Sequence, residues 1–477
     1  MRAVSSRLAS RTLRNSVLVV GARALAKVGV FLVIVLLWRH LGDERYGRFA
    51  AMVVYVTLVG VVADLGLQTI FIRDVSRDRD LFRRYLGNLV SARLGLAVLA
   101  LLILAAVLRL LSPTLFPYTL AGFALLLTTS YSSLLRGVFY IRGRLAYEAI
   151  AIVVEAVVLL ALTLYAISRQ ATWDAFLWVY AATYLFTCLF TFAILRWRWQ
   201  ETIAPRLELA FIRGLLVAGL PLALGFTITT VYAQLDIVLL QLFKNFQMVG
   251  WYSAANKYVD AVAWVPQSAM GAVFPALAML SKGDHRRLAF AYEKSYKMLA
   301  IVALPLAVGI GITADAIVHL TRGFDQSIPA LRLLAPSIAL LFVNNAFIYS
   351  LTAMNRQADF TRLALVTLVV NVILNVALIP PFGYLGAAAA SSLTELALFA
   401  GGWWLLRRHL VALPVIRSIG PLLVSAALMG AAVYLVRSWS LWLVVPLAAI
   451  VYLGGLILFR ALNAEELSIL RASVTNR

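Results

Sequence analysis

Cysteine, histidine and acidic residues are scarce in this chain, and each scarcity closes off a class of function. The single cysteine, Cys188, sits inside an apolar run, so neither an intrachain disulfide nor a cysteine metal site is available. The four histidines, His40, His285, His319 and His409, are scattered one by one, which leaves no metal-ligand spacing and no expected metal or cofactor. No Walker lysine occurs, and Gly309-Ile310-Gly311 lies in an apolar run with no strand before it, so a nucleotide-driven motor is excluded. Charged residues are only 13% of 477, well below the roughly one quarter usual in a soluble domain.

What fills the chain instead is apolar: 63% of residues are hydrophobic and the mean hydropathy is +0.91. Spans are expected at about 15–38, 48–71, 88–111, 117–136, 149–168 and 174–195 in the first half. The second half gives about 211–243, 250–280, 296–319, 327–353, 360–381 and 384–406, then an extra pair at about 416–436 and 440–459. Most lie close to the roughly 20 residues that cross about 30 Å of hydrocarbon, and the first is too long for a signal-peptide core. The reading is an all-α polytopic membrane protein of about 14 helices. In chain order it has a basic leader at 1–14, a six-helix lobe at 15–205, a second at 206–410, an additional helix pair at 411–460 and a tail at 461–477. Six spans return the chain to its starting side, so the lobes are expected to be parallel repeats around a central cavity.

A formal charge of +21 would suggest nucleic acid in a soluble protein. Here the arginines and lysines alternate with apolar runs, so they read as topology signals and lipid head-group contacts, with no nucleic-acid partner. Basic clusters follow every second span: the leader, Arg73 to Arg84, Arg136 to Arg144, Arg196 to Arg213, Lys282 to Lys297, Arg356 and Arg362, Arg407 to Arg417, and Arg460 to Arg477. The positive-inside rule then puts both termini in the cytoplasm and the sparse links outside a cell membrane. Those outer links are too short for a folded catalytic domain, so no enzyme is expected.

Two stretches carry a family resemblance. Leu220-Pro221, Asp236, Gly250-x-Tyr252-Ser253-Ala254-Ala255 and Phe274-Pro275-Ala276 form one, and 39–50 followed by Ala63-Asp64-Leu65-Gly66-Leu67 and Arg73 form the other. Together they resemble the oligosaccharide flippases of the polysaccharide transporter family, in a superfamily that also holds multidrug and toxin extruders and lipid II flippases. Gly47 and Gly250, 203 residues apart, align as members of a duplicated unit, and Phe71 meets Phe274 at the same offset. The resemblance implies that the first and eighth helices flank a lateral opening, with Lys257 opposite Arg23 and Lys27, and that Asp236 is structural.

Charges inside the spans are the candidate site, because each costs about 2.5–3.5 kcal/mol near a helix centre and usually faces a cavity. Lys27 stands 12 residues from Asn15 and 11 from Trp38, about 18 Å from the first end and too deep for easy snorkelling. Arg23 shares its helix face four residues earlier. This stripe either lines the cavity or pairs with Asp64 or Glu155. Arg93, some six residues into its span, is read either as a cavity residue or as an interfacial one, and Asp64 as substrate-side gate or counter-ion. Lys257 and Asp260, at i and i+3, form a local ion pair or contribute to substrate binding and ion coupling. Glu155, sharing a face with Glu148, is a candidate proton-coupling carboxylate, as is Glu395; Asn344, Asn345, Asn371 and Asn375 read as interhelical hydrogen-bond glue.

The leading expectation is a flippase that carries a polyprenyl-pyrophosphate-linked oligosaccharide to the outer leaflet for cell-surface polysaccharide assembly, such as O-antigen or exopolysaccharide. Arg23, Lys27, Lys257 and Arg93 would hold the pyrophosphate. A membrane-buried basic cavity is what desolvates such an anion without leaving it unpaired. Alternatives are a drug or metabolite antiporter of the same fold, a lipid II flippase, and a non-transporting scaffold for polysaccharide synthesis. Partners beyond lipid are a polysaccharide polymerase or ligase, and the protein is expected to act as a monomer.

Overall fold

The computed structural model describes the backbone of residues 2–201, 203–281, 285–409 and 415–461, and side chains from 19 onward within those stretches except 285–286, 409 and 415–418. The side chains of the basic leader, Lys282, Arg286, Arg417 and the tail beyond 461 lie outside the described residues. The described elements are helical, in two compact units that divide at Ser253/Ala254. In chain order the first unit holds α1 (Arg2–Asp64), α2 (Leu67–Arg77), α3 (Phe82–Leu111), α4 (Thr119–Ile141), α5 (Leu145–Ser168), α6 (Ala175–Ala193), α7 (Leu209–Phe243) and the start of α8 (Phe246–Leu280). The second holds the rest of α8, then α9 (His285–Ile312), α10 (Ala314–Leu320), α11 (Ser327–Ala353), α12 (Gln357–Phe382), α13 (Tyr384–His409), α14 (Val415–Leu435) and α15 (Leu441–Leu458).

Among the described residues, twelve helices are long and apolar enough to cross a membrane. The first of these, Val19–Asp64, contains most of the first expected span and most of the second, end to end across Gly42. Gly42 adopts φ 74° and ψ 178°, a conformation open to glycine and strained for other residues. The shorter apolar helix Ile419–Leu435 matches the thirteenth span. Each expected apolar run therefore coincides largely with helix, as the length needed to cross lipid requires.

Several boundaries differ, and the span expected at 296–319 is divided between α9, which ends at Ile312, and α10. The span expected at 48–71 stops at Asp64, where Leu65 and Gly66 take φ 44° and 73°. α2 then leaves as a separate amphipathic helix, with Leu67, Ile70, Phe71 and Val75 buried and Arg73 and Arg77 exposed. That buried set follows helical spacing and joins a core with Phe82, Tyr85, Leu86, Leu134 and Val138. A Cβ on Gly66 would come within 2.9 Å of Leu222 Cβ and 3.2 Å of the Gly219 carbonyl, so the turn needs glycine for both conformation and space.

α1 packs on α3, α5 and α7, and α4 on α6. At the link in α1, Gly47 and Gly250 meet directly: a Cβ on Gly47 would lie 1.7 Å from the Phe246 carbonyl oxygen, and one on Gly250 2.2 Å from that of Asp43. The two glycines aligned by the duplication are therefore the points where one backbone seats on the other. Asp43 tightens the crossing by accepting from Gln247 Nε2 at 2.8 Å and Trp251 Nε1 at 3.0 Å.

In the second unit α11 packs between α9 and α13, and α12 pairs with α13. The small residues of α13 allow that approach: Ala387, Ala388 and Ala390 are buried, and a Cβ on Gly386 would lie 2.1 Å from the Leu378 carbonyl. α14 docks on α9 and α15 through a core of Leu422, Met429, Val433, Tyr452 and Leu456. Pro221, Pro266, Pro275, Pro305 and Pro336 stand inside α7, α8, α9 and α11, which continue through them.

Candidate functional site

Most of the charge held between helices in the first unit gathers in two groups. In the first, Arg93 on α3 is fully buried and donates to the carboxylate of Asp64 and to the carbonyl and hydroxyl oxygens of Ser130 on α4. Asp64 is the last residue of α1, where unpaired helix carbonyls already make the potential negative. A carboxylate placed there needs a cation, and Arg93 supplies it. The pair borders a cavity of about 400 Å³ whose other walls include Thr57, Thr129, Tyr180, Tyr184 and Phe226. α3 begins at Phe82, before the expected 88, with Arg83 and Arg84 exposed in its first turn. Arg93 thus lies about three turns along α3, buried in the protein beside that cavity.

The second group joins α1, α4, α5 and α6. Arg136 reaches Glu148 at 3.2 Å and Glu155 at 3.2 Å, and Thr187 Oγ1 donates to Glu155 at 2.6 Å. Tyr140 donates to Glu148 at 3.4 Å and accepts from Arg23 Nη2 at 2.6 Å. Two arginines thus face two glutamates, and formal charge within the group is balanced. Lys27, one turn along from Arg23, is exposed and makes no hydrogen bond or ion pair among the described residues. Neither alternative pairing of the basic stripe occurs, since Asp64 is taken by Arg93 and Glu155 by Arg136.

Arg136 is the residue that sequence reasoning placed elsewhere, among the cytoplasmic topology charges with Arg142 and Arg144. A signal for it existed. Glu148 and Glu155 share one face of α5, and the tight turn at 142–144 folds α4 back along α5, so a cation some seven residues before that turn lies level with them.

In the second unit Lys257 donates to Asp260 at 2.8 Å, the local i, i+3 pair that the spacing allowed. Glu395 accepts from Asn344 Nδ2 at 2.6 Å, Asn371 donates to Thr394 at 3.3 Å, and Asn375 to the Asn371 carbonyl at 3.0 Å. The asparagines thus act as interhelical and intrahelical glue, and α13 carries Glu395 into that set rather than leaving it isolated. Asp236 accepts from Tyr252 at 2.8 Å inside the first unit, a structural bond. Among the described residues no group of three histidine, cysteine or acidic side chains is arranged to hold a metal.

Comparison with known proteins adds an independent line. The probable low-salt glycan biosynthesis flippase Agl15 of Haloferax volcanii is 27% identical over 166 residues, 34% of this chain and 35% of the relative. The probable flippase AglR of the same organism is 24% identical over 216 residues, 44% of this chain and 45% of the relative. The chain thus spans less than half the length of the curated relatives it matches. Among solved structures, the inward closed conformation of the lipid II flippase MurJ superposes with a TM-score of 0.77 at 13% identity, covering 94% of this chain and 99% of that one. An inward-facing multidrug resistance transporter of the MATE family gives 0.68 at 14% identity, over 80% and 94%; these two likenesses establish the polytopic fold. The family model for polysaccharide biosynthesis proteins matches residues 12–281, more than half of the chain, and the chain belongs to that family.

Proposed function

We propose that this chain is a non-enzymatic flippase that moves a lipid-linked oligosaccharide from the cytoplasmic to the outer leaflet for cell-surface polysaccharide assembly. The observation that carries the reading is Lys27, a cation with no counter-charge among the described residues, one turn from Arg23 and well inside the first apolar helix. An unpaired ammonium at that depth is costly unless a ligand completes it, and a pyrophosphate is a compact anion that an arginine and a lysine side by side can hold. Both matched relatives are named as probable flippases, and the name of Agl15 adds glycan biosynthesis, which supports this reading.

In the proposed cycle Arg23 and Lys27 bind the pyrophosphate, with Lys257 and Arg93 as further basic groups, while the polyprenyl tail stays in lipid. Two six-helix lobes, 15–205 and 206–410, rock to expose the sugar outside. Arg23 is already hydrogen-bonded to Tyr140, and through it to Glu148 and Arg136. Drawing Arg23 toward an anion would loosen the hold on Glu148 and, through Arg136, on Glu155. That is how substrate binding would reach the candidate coupling carboxylate; Asp260 and Glu395 are the corresponding candidates in the second unit. A multidrug extruder handling organic cations would call for the opposite sign of free charge. Lipid II shares the polyprenyl pyrophosphate, so its exclusion or acceptance rests on the sugar.

Native mass spectrometry of the gently purified chain tests the proposal. A polyprenyl phosphate or pyrophosphate bearing sugars is expected, lost when Arg23 and Lys27 are both changed to Gln, and its fragments separate lipid II from other glycans. Ordinary phospholipid alone, unchanged by those substitutions, would overturn the basic-site reading and move attention to cation efflux in proteoliposomes.

A further inference from the structure

A second basic cavity lies away from the stripe on α1. It has a volume of about 620 Å³ and is bordered by the end of α2, the turn at 79–81, the α4–α5 turn and the segment after α6. Four arginines line it, Arg79, Arg83, Arg142 and Arg144, against two carboxylates, Asp80 and Glu201. Glu201 fixes two of the four: its Oε2 accepts from Arg83 Nε at 2.9 Å and its Oε1 from Arg142 Nη2 at 2.6 Å. Partial burial opposes the charge on Glu201, and the Arg83 and Arg142 hydrogen bonds more than offset it, holding the carboxyl below its ordinary value. The Arg142 guanidinium is also held by rings, 4.9 Å from the Trp199 centroid and 5.2 Å from that of Phe82. Arg79 and Arg144 are exposed and make no ion pair or side-chain hydrogen bond among the described residues.

Two oriented arginines and two uncommitted ones around one hollow match the oxygens of a phosphate group, which arginine forks bind bidentately. The site borders the ends of apolar helices, on the side that the basic clusters mark as cytoplasmic, where basic pockets between spans take acidic head groups. We infer that the cavity lined by Arg79, Arg83, Arg142 and Arg144 binds a phosphate group at the membrane surface, carried by an anionic lipid or by a small soluble phosphate. Its cytoplasmic assignment rests on the topology reading above; the binding itself does not depend on which cargo the α1 stripe takes.

The test is native mass spectrometry of the full chain in mild detergent, titrated separately with phosphatidylglycerol and phosphatidylcholine, and with phosphatidylglycerol in the presence of millimolar inorganic phosphate. Phosphatidylglycerol adducts are expected at about tenfold lower concentration than phosphatidylcholine adducts, the free-energy equivalent of about 1.4 kcal/mol. Arg79→Gln with Arg144→Gln should erase that preference, since neither side chain holds the fold together. The paired change Arg79→Lys with Arg144→Lys should keep most of it, and Arg196→Gln with Arg198→Gln, outside the cavity, should leave it intact. Competition by inorganic phosphate assigns the site to soluble phosphates; adducts that withstand it assign the site to lipid. Equal binding of the two lipids, or equal loss from the outside pair, overturns the inference.

Discussion

The first unit joins helices through ionic contacts, Arg93 with Asp64 and Arg136 with Glu148 and Glu155, alongside neutral ones such as Tyr55 with Gln241; in the second, Asn344 reaches Glu395 and Asn371 reaches Thr394. The two chemistries fail differently. A neutral amide removed from between helices leaves a modest gap, whereas one member of a buried ion pair removed leaves an uncompensated charge that the interior cannot solvate. The ionic contacts of the first unit are therefore the ones that an arriving charge would disturb most. The sharpest way to break this comparison is Arg93→Gln. It should destabilise the chain by about 3–5 kcal/mol, read as a large drop in apparent Tm in detergent. The double change Arg93→Met with Asp64→Leu should recover most of the loss, because it removes both charges from the interior. If the single and double variants fall equally, Arg93 is holding shape through its hydrogen bonds to Ser130 rather than balancing Asp64.

Two smaller effects sharpen the same contrast. Gly47→Ala would drive a methyl into the Phe246 carbonyl, and overpacking of that kind costs about 1–3 kcal/mol. Gly60→Ala, in the same helix with nothing within 4 Å of a built Cβ, should be neutral or stabilise by up to about 1 kcal/mol. Apparent Tm of the two variants separates crowding at the α1 link from a general intolerance of alanine in α1. In the second unit, Asn344→Ala should cost about 0.6–1.7 kcal/mol, below the Arg93 effect. A loss as large as that of Arg93→Gln would erase the distinction between ionic and neutral contacts.

Hydropathy made the spans legible because lipid imposes one length on all of them, and Lys27 stood out as a candidate because it falls in the middle of such a run. The break at Asp64 was hidden, since Leu65, Gly66 and Leu67 keep the apolar run going while two consecutive positive φ values end the helix. For Arg93 the sequence left cavity and interface open, because the polar turn at Phe82 to Arg84 extends α3 beyond its apolar run. Arg136 was masked by its neighbours, three arginines within nine residues reading as one topology cluster although only the first points inward to Glu148 and Glu155. In each case the missing information is three-dimensional: which helix face a residue occupies and what stands across from it.

The smallest expected effect lies outside the spans, where α7 begins. Glu208 is the N-cap residue of α7, and its backbone amide donates to Asn88 Oδ1 at 2.8 Å while Asn88 Nδ2 donates back to Glu208 Oε1 at 3.1 Å. Arg84 adds a bond at 2.6 Å to Glu208 Oε2 and lies 4.4 Å from the Phe211 ring centroid. The Arg84 and Asn88 hydrogen bonds hold the Glu208 carboxyl below its ordinary value. A carboxylate with a depressed folded-state value contributes stability above the unfolded value of about 4.3, and that contribution is lost as pH falls through the folded value. Glu208→Gln should therefore lower apparent Tm slightly at neutral pH, within the range of a solvent-screened pair. The difference from the parent should shrink as pH drops below about 4.3. Convergence of the two pH profiles would place the effect in the charge facing Arg84. An offset that persists unchanged at low pH would place it in the uncharged exchange of hydrogen bonds with Asn88, and α7 would then be anchored without electrostatics.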